Sequence, residues 1–390
     1  MNSLCADVGY RSINKKGEQL CGDHVEIVHQ QNGDLIMVLA DGLGSGVKAC
    51  ILSTLTSNII STMMANNMSI EECVNTIAAT LPVCEVRGIA YSTFTIIKIT
   101  NNKQAEIIQF DNPHVVMLRD GKNYEYSKNS MVIDGKNVVK SKVILKENDV
   151  FIAMSDGAIY AGVGMELNYG WQRINIISYI EKYYENELTA KTISSIILDK
   201  CEALYGGNAG DDTTIATIKI RERNQINLII GPPANPDDCQ KMMTLFFSKG
   251  GKHIVCGGTT SSIAAEYLGE DVIPVLEYID EEVPPIARVK GIDLVTEGII
   301  TINKVLAYAQ DFLDENNFYS DWAVKEDGAS QIARLLFEEA TDINFYVGKA
   351  VNPAHQNPNL PINFSIKMRL VDELSECLKK MGKGIKVSYF

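Results

Sequence analysis

Residues 34–49 read DLIMVLADGLGSGVKA: an apolar run from Leu35 to Ala40 ends in Asp41 and Gly42, and a glycine-rich turn opens into a helix. The run has the length and composition of a buried strand. Upstream, His24 to Gln30 faces it across Gln31, Asn32 and Gly33, the spacing of a β-hairpin. Downstream, the pattern predicts a helix from Val47 to about Met64. A carboxylate at a strand end followed by glycine projects from the rim of a sheet. The missing side chain lets backbone carbonyls, waters or a cation come close.

The same arrangement recurs. In residues 151–162, FIAMSDGAIYAG, Asp156 and Gly157 follow a strand expected over Val150 to Ser155. In residues 208–220, NAGDDTTIATIKI, Asp211 and Asp212 precede a strand expected over Thr213 to Ile220, and in CGDHVEIV Asp23 heads the first hairpin. Between these motifs the sequence predicts helices over Ile70–Thr80, Gln172–Tyr184 and Ala190–Leu204. It predicts strands over Ala90–Ile99, Gln104–Asp111, Val115–Leu118 and Lys142–Leu145. Short strands in pairs, interrupted by helices, predict antiparallel sheets. Hard carboxylate and carbonyl oxygens suit Mg²⁺ or Mn²⁺, and two such ions would activate a water and clamp phosphoryl oxygens.

Composition narrows the alternatives. At 390 residues the chain is long enough for two domains of roughly 150 or more, and 46% apolar with 22% charged residues describes a folded chain. Lysine and arginine number 36 against 49 acidic residues, a net charge of −13, which argues against a surface for nucleic acid or anionic lipid. No apolar run approaches the roughly 18 residues of a membrane span, and MNSLCADVGYRS has no basic stretch leading into an apolar one. A cytoplasmic location is expected. Nine cysteines without a CxxC pair point to reduced thiols, and five unclustered histidines without HExxH leave oxygen as the metal donor.

Together, GDHVEI, DGLGSGVKA, YSTFTIIKI, DNPHVVMLRDG, LKENDVFIAMSDGAIYAG and GDDTTIATIKI resemble the metal-dependent serine/threonine phosphatases of the PPM/PP2C kind, in particular the bacterial SpoIIE-type branch. The resemblance covers about residues 3–220. It implies a PP2C-like α-β-β-α sandwich of two antiparallel sheets, an α+β fold, for a phosphatase domain over 1–222. It also implies hydrolysis of phosphoserine or phosphothreonine on a regulatory phosphoprotein, with two Mn²⁺ or Mg²⁺ ions. By similarity Asp41 would bridge both metals, the Gly42 carbonyl would bind one, Asp156 and Asp211 would complete the other site, and Asp23 would assist. Asp212 would act as a turn or outer-shell group.

Two departures from the family pattern stand out. Leu43 and glycines follow Asp41-Gly42 where eukaryotic members often carry histidine, so the leaving oxygen takes its proton from water or another group. The phosphate-gripping arginine of many members has only Arg11, Lys15 and Lys16 as candidates here. Gly44, Ser45 and Gly46 read either as a phosphate loop or as a tight turn, the latter preferred. Two rival readings are a noncatalytic partner-binding module on the same fold and a hydrolase of small phosphate esters.

Arg221 to Gln225, charged and without apolar residues, reads as the linker to a second domain over 226–390. There, strands expected at Ile226–Ile230 and His253–Cys256 alternate with helices at Pro236–Ser248 and Ile263–Leu268, predicting an α/β domain with a mostly parallel sheet. In HIVCGGTTSSIAAEYLG the turn Gly257, Gly258, Thr259, Thr260, Ser261 is a candidate ligand loop at a helix start. GIDLVTEGIITINKVL repeats the strand-end pattern, with a strand over Gly291 to Val295. The expected role is to sense a small ligand or bind a protein partner, and a homodimer is compatible with it.

Overall fold

Residues 4–30, 33–80, 92–133, 135–165, 167–275, 282–314, 319–350 and 366–390 are described by the computed structural model. They divide into two units, Met1–Glu222 and Arg223–Phe390. The first begins with β1 (Leu4–Ile13), β2 (Asp23–His29), β3 (Leu35–Gly42), α1 (Gly46–Ala65), α2 (Ile70–Thr80), β4 (Ser92–Thr100) and β5 (Gln104–Phe110). It continues with β6 (Val116–Arg119), β7 (Lys122–Asn123), β8 (Asn129–Ile133), β9 (Lys136–Ile144), β10 (Val150–Met154), α3 (Asp156–Tyr160), α4 (Arg173–Tyr183), α5 (Ala190–Leu204) and β11 (Thr213–Glu222).

These strands form two antiparallel sheets, ordered β1-β11-β10-β6-β7 and β2-β3-β4-β5-β9-β8. One core lies between the sheets, where Leu39 and Ile97 of the second meet Phe151 and Ile218 of the first. A second packs α4 and α5 on the outer face of the five-stranded sheet, and a third packs α1 and α2 on the outer face of the six-stranded one. Strand β3 serves two cores at once, so its side chains are apolar on both faces, and each fully buried aliphatic contributes about 1.5–3 kcal/mol. The result is the expected α-β-β-α sandwich.

Strands β1 and β8 were not legible. β1 is half-buried along most of its length and β8 is largely exposed, so neither shows a clean alternation. Gly9 within β1 leaves no room for a side chain against the Lys191 backbone, which lets α5 settle directly on the strand. The expected linker is shorter than read: β11 runs through Glu222 and the next strand starts at Gln225. Part of the expected strand Ala90–Ile99 lies outside the described residues.

The second unit contains β12 (Gln225–Ile230), a 3-10 turn at Pro236–Asp238, α6 (Cys239–Phe247), β13 (Lys252–Cys256), α7 (Gly258–Leu268), β14 (Ile273–Pro274), β15 (Ala287–Arg288) and β16 (Leu294–Thr296). After these come α8 (Ile299–Leu313), α9 (Tyr319–Val324), α10 (Gly328–Ala333) continuing as a π-helical stretch to Glu339, β17 (Asp342–Val347), α11 (Ile366–Lys380) and β18 (Gly384–Tyr389). The sheet order is β14-β15-β16-β13-β12-β17-β18, parallel from β16 to β18 and antiparallel at the β14–β15–β16 edge. Alternate residues of β12 face opposite cores. Leu228 and Ile230 pack with α8, α10 and α11, while Ile229 packs with α6 and α7. Helices therefore cover both faces, as parallel sheets require.

Candidate functional site

The β2–β3 register pairs Asp23 with Asp41, so both carboxylates sit at the same end of the hairpin. The Gly42 amide donates to the Gly22 carbonyl at 3.1 Å and closes that end. On the other sheet, Met154 of β10 pairs with Ile215 of β11. Just beyond, the Ser155 amide donates to the Thr214 carbonyl and the Thr214 amide to Ser155 Oγ. Asp156, opening α3, and Asp211 and Asp212, preceding β11, are thereby held at one end of the five-stranded sheet.

Two glycines allow these ends to close. A Cβ on Gly42 would overlap the Ala49 carbonyl of α1, and one on Gly157 would overlap the Asp212 carbonyl. Any side chain at either position would drive backbone from backbone. Tyr205 adds a tie, its hydroxyl donating to the Gly157 carbonyl at 2.7 Å.

The electrostatics are those of crowded negative charge. Asp23 is buried and neither carboxylate oxygen has a hydrogen-bond partner. Burial first, then Asp212 and Asp156, push its pKa up to about 7, while the Ser155 and Thr214 hydroxyls pull the other way without reaching hydrogen-bond geometry. Burial, followed by the charges of Asp23, Asp156, Asp211 and Asp212, pushes Asp41 up to about 9. Asp156 is raised by burial and then by Asp211. Asp212 is also raised by burial, against the opposing effect of the Lys15 amide, which donates to Oδ1 at 2.9 Å. Its Oδ2 is buried without a partner.

The four acids expected to hold metal are therefore brought together, with Asp212 among them. Orphaned buried carboxylate oxygens beside mutually repelling acids fit a divalent cation, and Asp23, Asp41, Asp156, Asp211 and the Gly42 carbonyl are the donors available. As they stand, no three His, Cys, Asp or Glu groups among the described residues converge on a single cation position. The set is a clustered but open one.

The expected basic group falls differently. Arg11 Nη1 pairs with Asp199 Oδ1 at 2.7 Å and is tied to α5. Lys15 is the cation that reaches the acids, its Nζ 3.6 Å from Asp211 Oδ1. Ser45 donates to Glu18 at 3.0 Å, so the turn before α1 is braced by an acid rather than open to phosphate. His24 Nδ1 meets Ser57 Oγ at 2.8 Å, a local bond away from the acids' shared face. Ser155 and Thr214 carried no signal in the sequence, because their role depends on the pairing of two distant strands. In the second unit Gly257–Ser261 is not a loop: the residues from Gly258 form the first turn of α7. The described cysteines form no disulfide with one another, and no described helix is long and apolar enough to cross a membrane.

Residues 31–221 match the family model described as Stage II sporulation protein E (SpoIIE). No curated protein sequence matches the chain. Among solved structures, the chain is similar to the phosphatase domain of the cell fate determinant SpoIIE from Bacillus subtilis, with 18% identity and a TM-score of 0.44 over 57% of this chain and 95% of that one. It is also similar to RsbX in complex with magnesium, with 18% identity and a TM-score of 0.40 over 56% and 97% of the two chains. A third is the catalytic domain of the serine/threonine phosphatase PstP in complex with two manganese ions, with 14% identity and a TM-score of 0.39 over 56% and 100%.

Proposed function

We propose that the first unit is a phosphoprotein phosphatase that uses two Mg²⁺ or Mn²⁺ ions to hydrolyse phosphoserine or phosphothreonine on a regulatory protein. The observation that carries this reading is the buried, unpartnered Asp23 carboxylate facing Asp41 across the hairpin end. In the free protein that arrangement is costly, and cations would relieve it. Asp23, Asp41, Asp156, Asp211 and the Gly42 carbonyl would hold the ions. Bound there, they would supply Lewis-acid polarisation of the phosphoryl group and a more acidic water.

The chain's own residues do the positioning. Asp41 sits centrally, feeling the charge of each of the other four acids. Asp212 anchors the Lys15 amide and so holds the Lys15 ammonium beside Asp211, where it can receive a phosphoryl oxygen. Leu43 occupies the turn after Gly42, so no imidazole there donates a proton to the leaving serine oxygen, and solvent does so. The test is hydrolysis of a phosphoserine peptide and of small phosphate esters by the full chain in EDTA, Mg²⁺ or Mn²⁺. Metal-dependent turnover that favours the peptide supports the reading. Turnover restricted to small esters, or unaffected by EDTA, contradicts it.

A further inference from the structure

Strand β4 and the turn after β5 supply none of the acids expected to hold metal, yet polar side chains from both reach the row that contains Asp41. The β3–β4 register pairs Asp41 with Thr93 and Gly42 with Ser92. Ser92 Oγ donates to the Asp41 carbonyl at 2.9 Å, which ties the Asp41–Gly42 peptide to the strand alongside. Directly opposed residues of an antiparallel pair project to the same face with Cβ atoms about 4.5–5.5 Å apart. Asp23, Asp41 and Thr93 therefore form one row across β2, β3 and β4, with Asp23 flanking Asp41 on one side and Thr93 on the other.

Thr93 brings a second group with it. Its hydroxyl donates to Asn112 Oδ1 at 2.5 Å. Strand β5 ends at Phe110, opposite Phe94, and Asp111 adopts a left-handed conformation (φ 54°), so the chain leaves the sheet there and Asn112 comes to lie against Thr93. Gln109 holds this turn, its Nε2 donating to the Pro113 carbonyl at 2.9 Å.

With Oδ1 engaged, the Asn112 amide presents Nδ2, which is buried and has no hydrogen-bond partner among the described residues. A buried donor left in that state costs about 1–3 kcal/mol. Asn112 is only 8% exposed, too enclosed to touch a substrate. Its neighbour across Thr93 is Asp41, which when ionised can only accept hydrogen bonds.

We propose that Thr93 and Asn112 are positioning residues for Asp41: the Thr93 hydroxyl sets the Asn112 amide, and Asn112 Nδ2 donates to one oxygen of the Asp41 carboxylate, leaving the other for a cation. This rests on the cation reading above and adds two residues to it. Carboxylates that hold a metal are themselves hydrogen-bonded, and losing such a partner typically costs about 10–100-fold in affinity.

Calorimetric titration of the metal-free full chain with Mn²⁺, beside thermal melting of each protein in EDTA, tests it. Wild type should bind Mn²⁺, Asn112→Ala and Thr93→Val should each bind about 10–100-fold more weakly, and Thr93→Ser, which keeps the hydroxyl, should bind like wild type. A merely structural role would lower the melting temperature and leave Mn²⁺ affinity unchanged. That result in either Asn112→Ala or Thr93→Val overturns the proposal and leaves the cation reading standing. A loss in Thr93→Ser equal to that in Thr93→Val also overturns it, because packing rather than the hydroxyl would then decide. Wild type that binds no Mn²⁺ overturns the cation reading and the positioning role together. If Asn112→Ala does not fold, unchanged affinity in Thr93→Val overturns the proposal alone.

Discussion

Replacing Asp23 by asparagine keeps the volume of a buried side chain and removes its charge. In the metal-free protein the carboxyl titrates near 7 instead of its ordinary 3.8. The folded state therefore holds more protons than the unfolded one across that window, and stability falls as pH rises through it. About 3 pH units at about 1.4 kcal/mol each puts the cost of the charged form on the order of 4 kcal/mol at pH 8. At pH 5 only the first part of the window has been crossed, and on the order of 2 kcal/mol remains. Asp41, raised to about 9, adds a cost of the same sign.

Asp23→Asn should then melt higher than wild type in EDTA at pH 8, by roughly 10 °C if the whole cost is recovered, and by clearly less at pH 5. Saturating Mn²⁺ should shrink the difference. A ligand at 100 times its Kd stabilises by about 2.7 kcal/mol, and the variant has lost one of the oxygens that hold it. Differential scanning calorimetry of the full chain at both pH values, with EDTA and with Mn²⁺, gives the four comparisons. A variant that melts lower than wild type in EDTA and responds equally to Mn²⁺ would refute the reasoning and make Asp23 an ordinary buried acid.

Other consequences follow from single contacts. Gly157→Ala should destabilise by about 1–3 kcal/mol, because the Asp212 carbonyl stands where the methyl must go; a denaturant midpoint unchanged from wild type contradicts the close approach. Asp149 is fully buried, accepts two bonds from Arg119 at 2.8 Å and a third from the Lys146 amide. Asp149→Ala should therefore cost about 3 kcal/mol by removing the charge-assisted bonds that a buried carboxylate accepts from the half-buried Arg119 and the Lys146 amide, measured by urea unfolding. Arg11→Ala removes only a partly exposed ion pair with Asp199, worth under about 1 kcal/mol, and should leave turnover near wild type. Lys15→Ala should raise KM for a phosphopeptide more than it lowers kcat, and steady-state kinetics on the two variants separates the candidates.

The helices α2 and α5 end where the sequence places them, because acids or a threonine cap mark their starts and the apolar spacing is regular: Glu71 and Glu72 sit in the first turn of α2, and Thr189 accepts from the Thr192 amide at α5. α7 begins five residues earlier than read. Its Gly-Thr-Thr-Ser-Ser start has the composition of a turn, yet Ser261 and Ser262 return their hydroxyls to the Gly257 and Gly258 carbonyls and remain helical. In the site, each acid could be found from its own strand-glycine context. That Lys15 rather than Arg11 joins them depends on where the turn after β1 lies relative to Asp211 and Asp212, which no local pattern encodes.

Binding of Mn²⁺ to the metal-free full chain, with p-nitrophenyl phosphate turnover followed in the same samples, tests the central claim most directly when wild type is compared with Asp41→Asn. The account predicts two ions per chain in wild type and turnover that appears as they bind. It predicts loss of at least one ion and a fall in turnover of about 100-fold or more in the variant. Wild type that binds no Mn²⁺, or an Asp41→Asn protein that binds two ions and turns over like wild type, would contradict it.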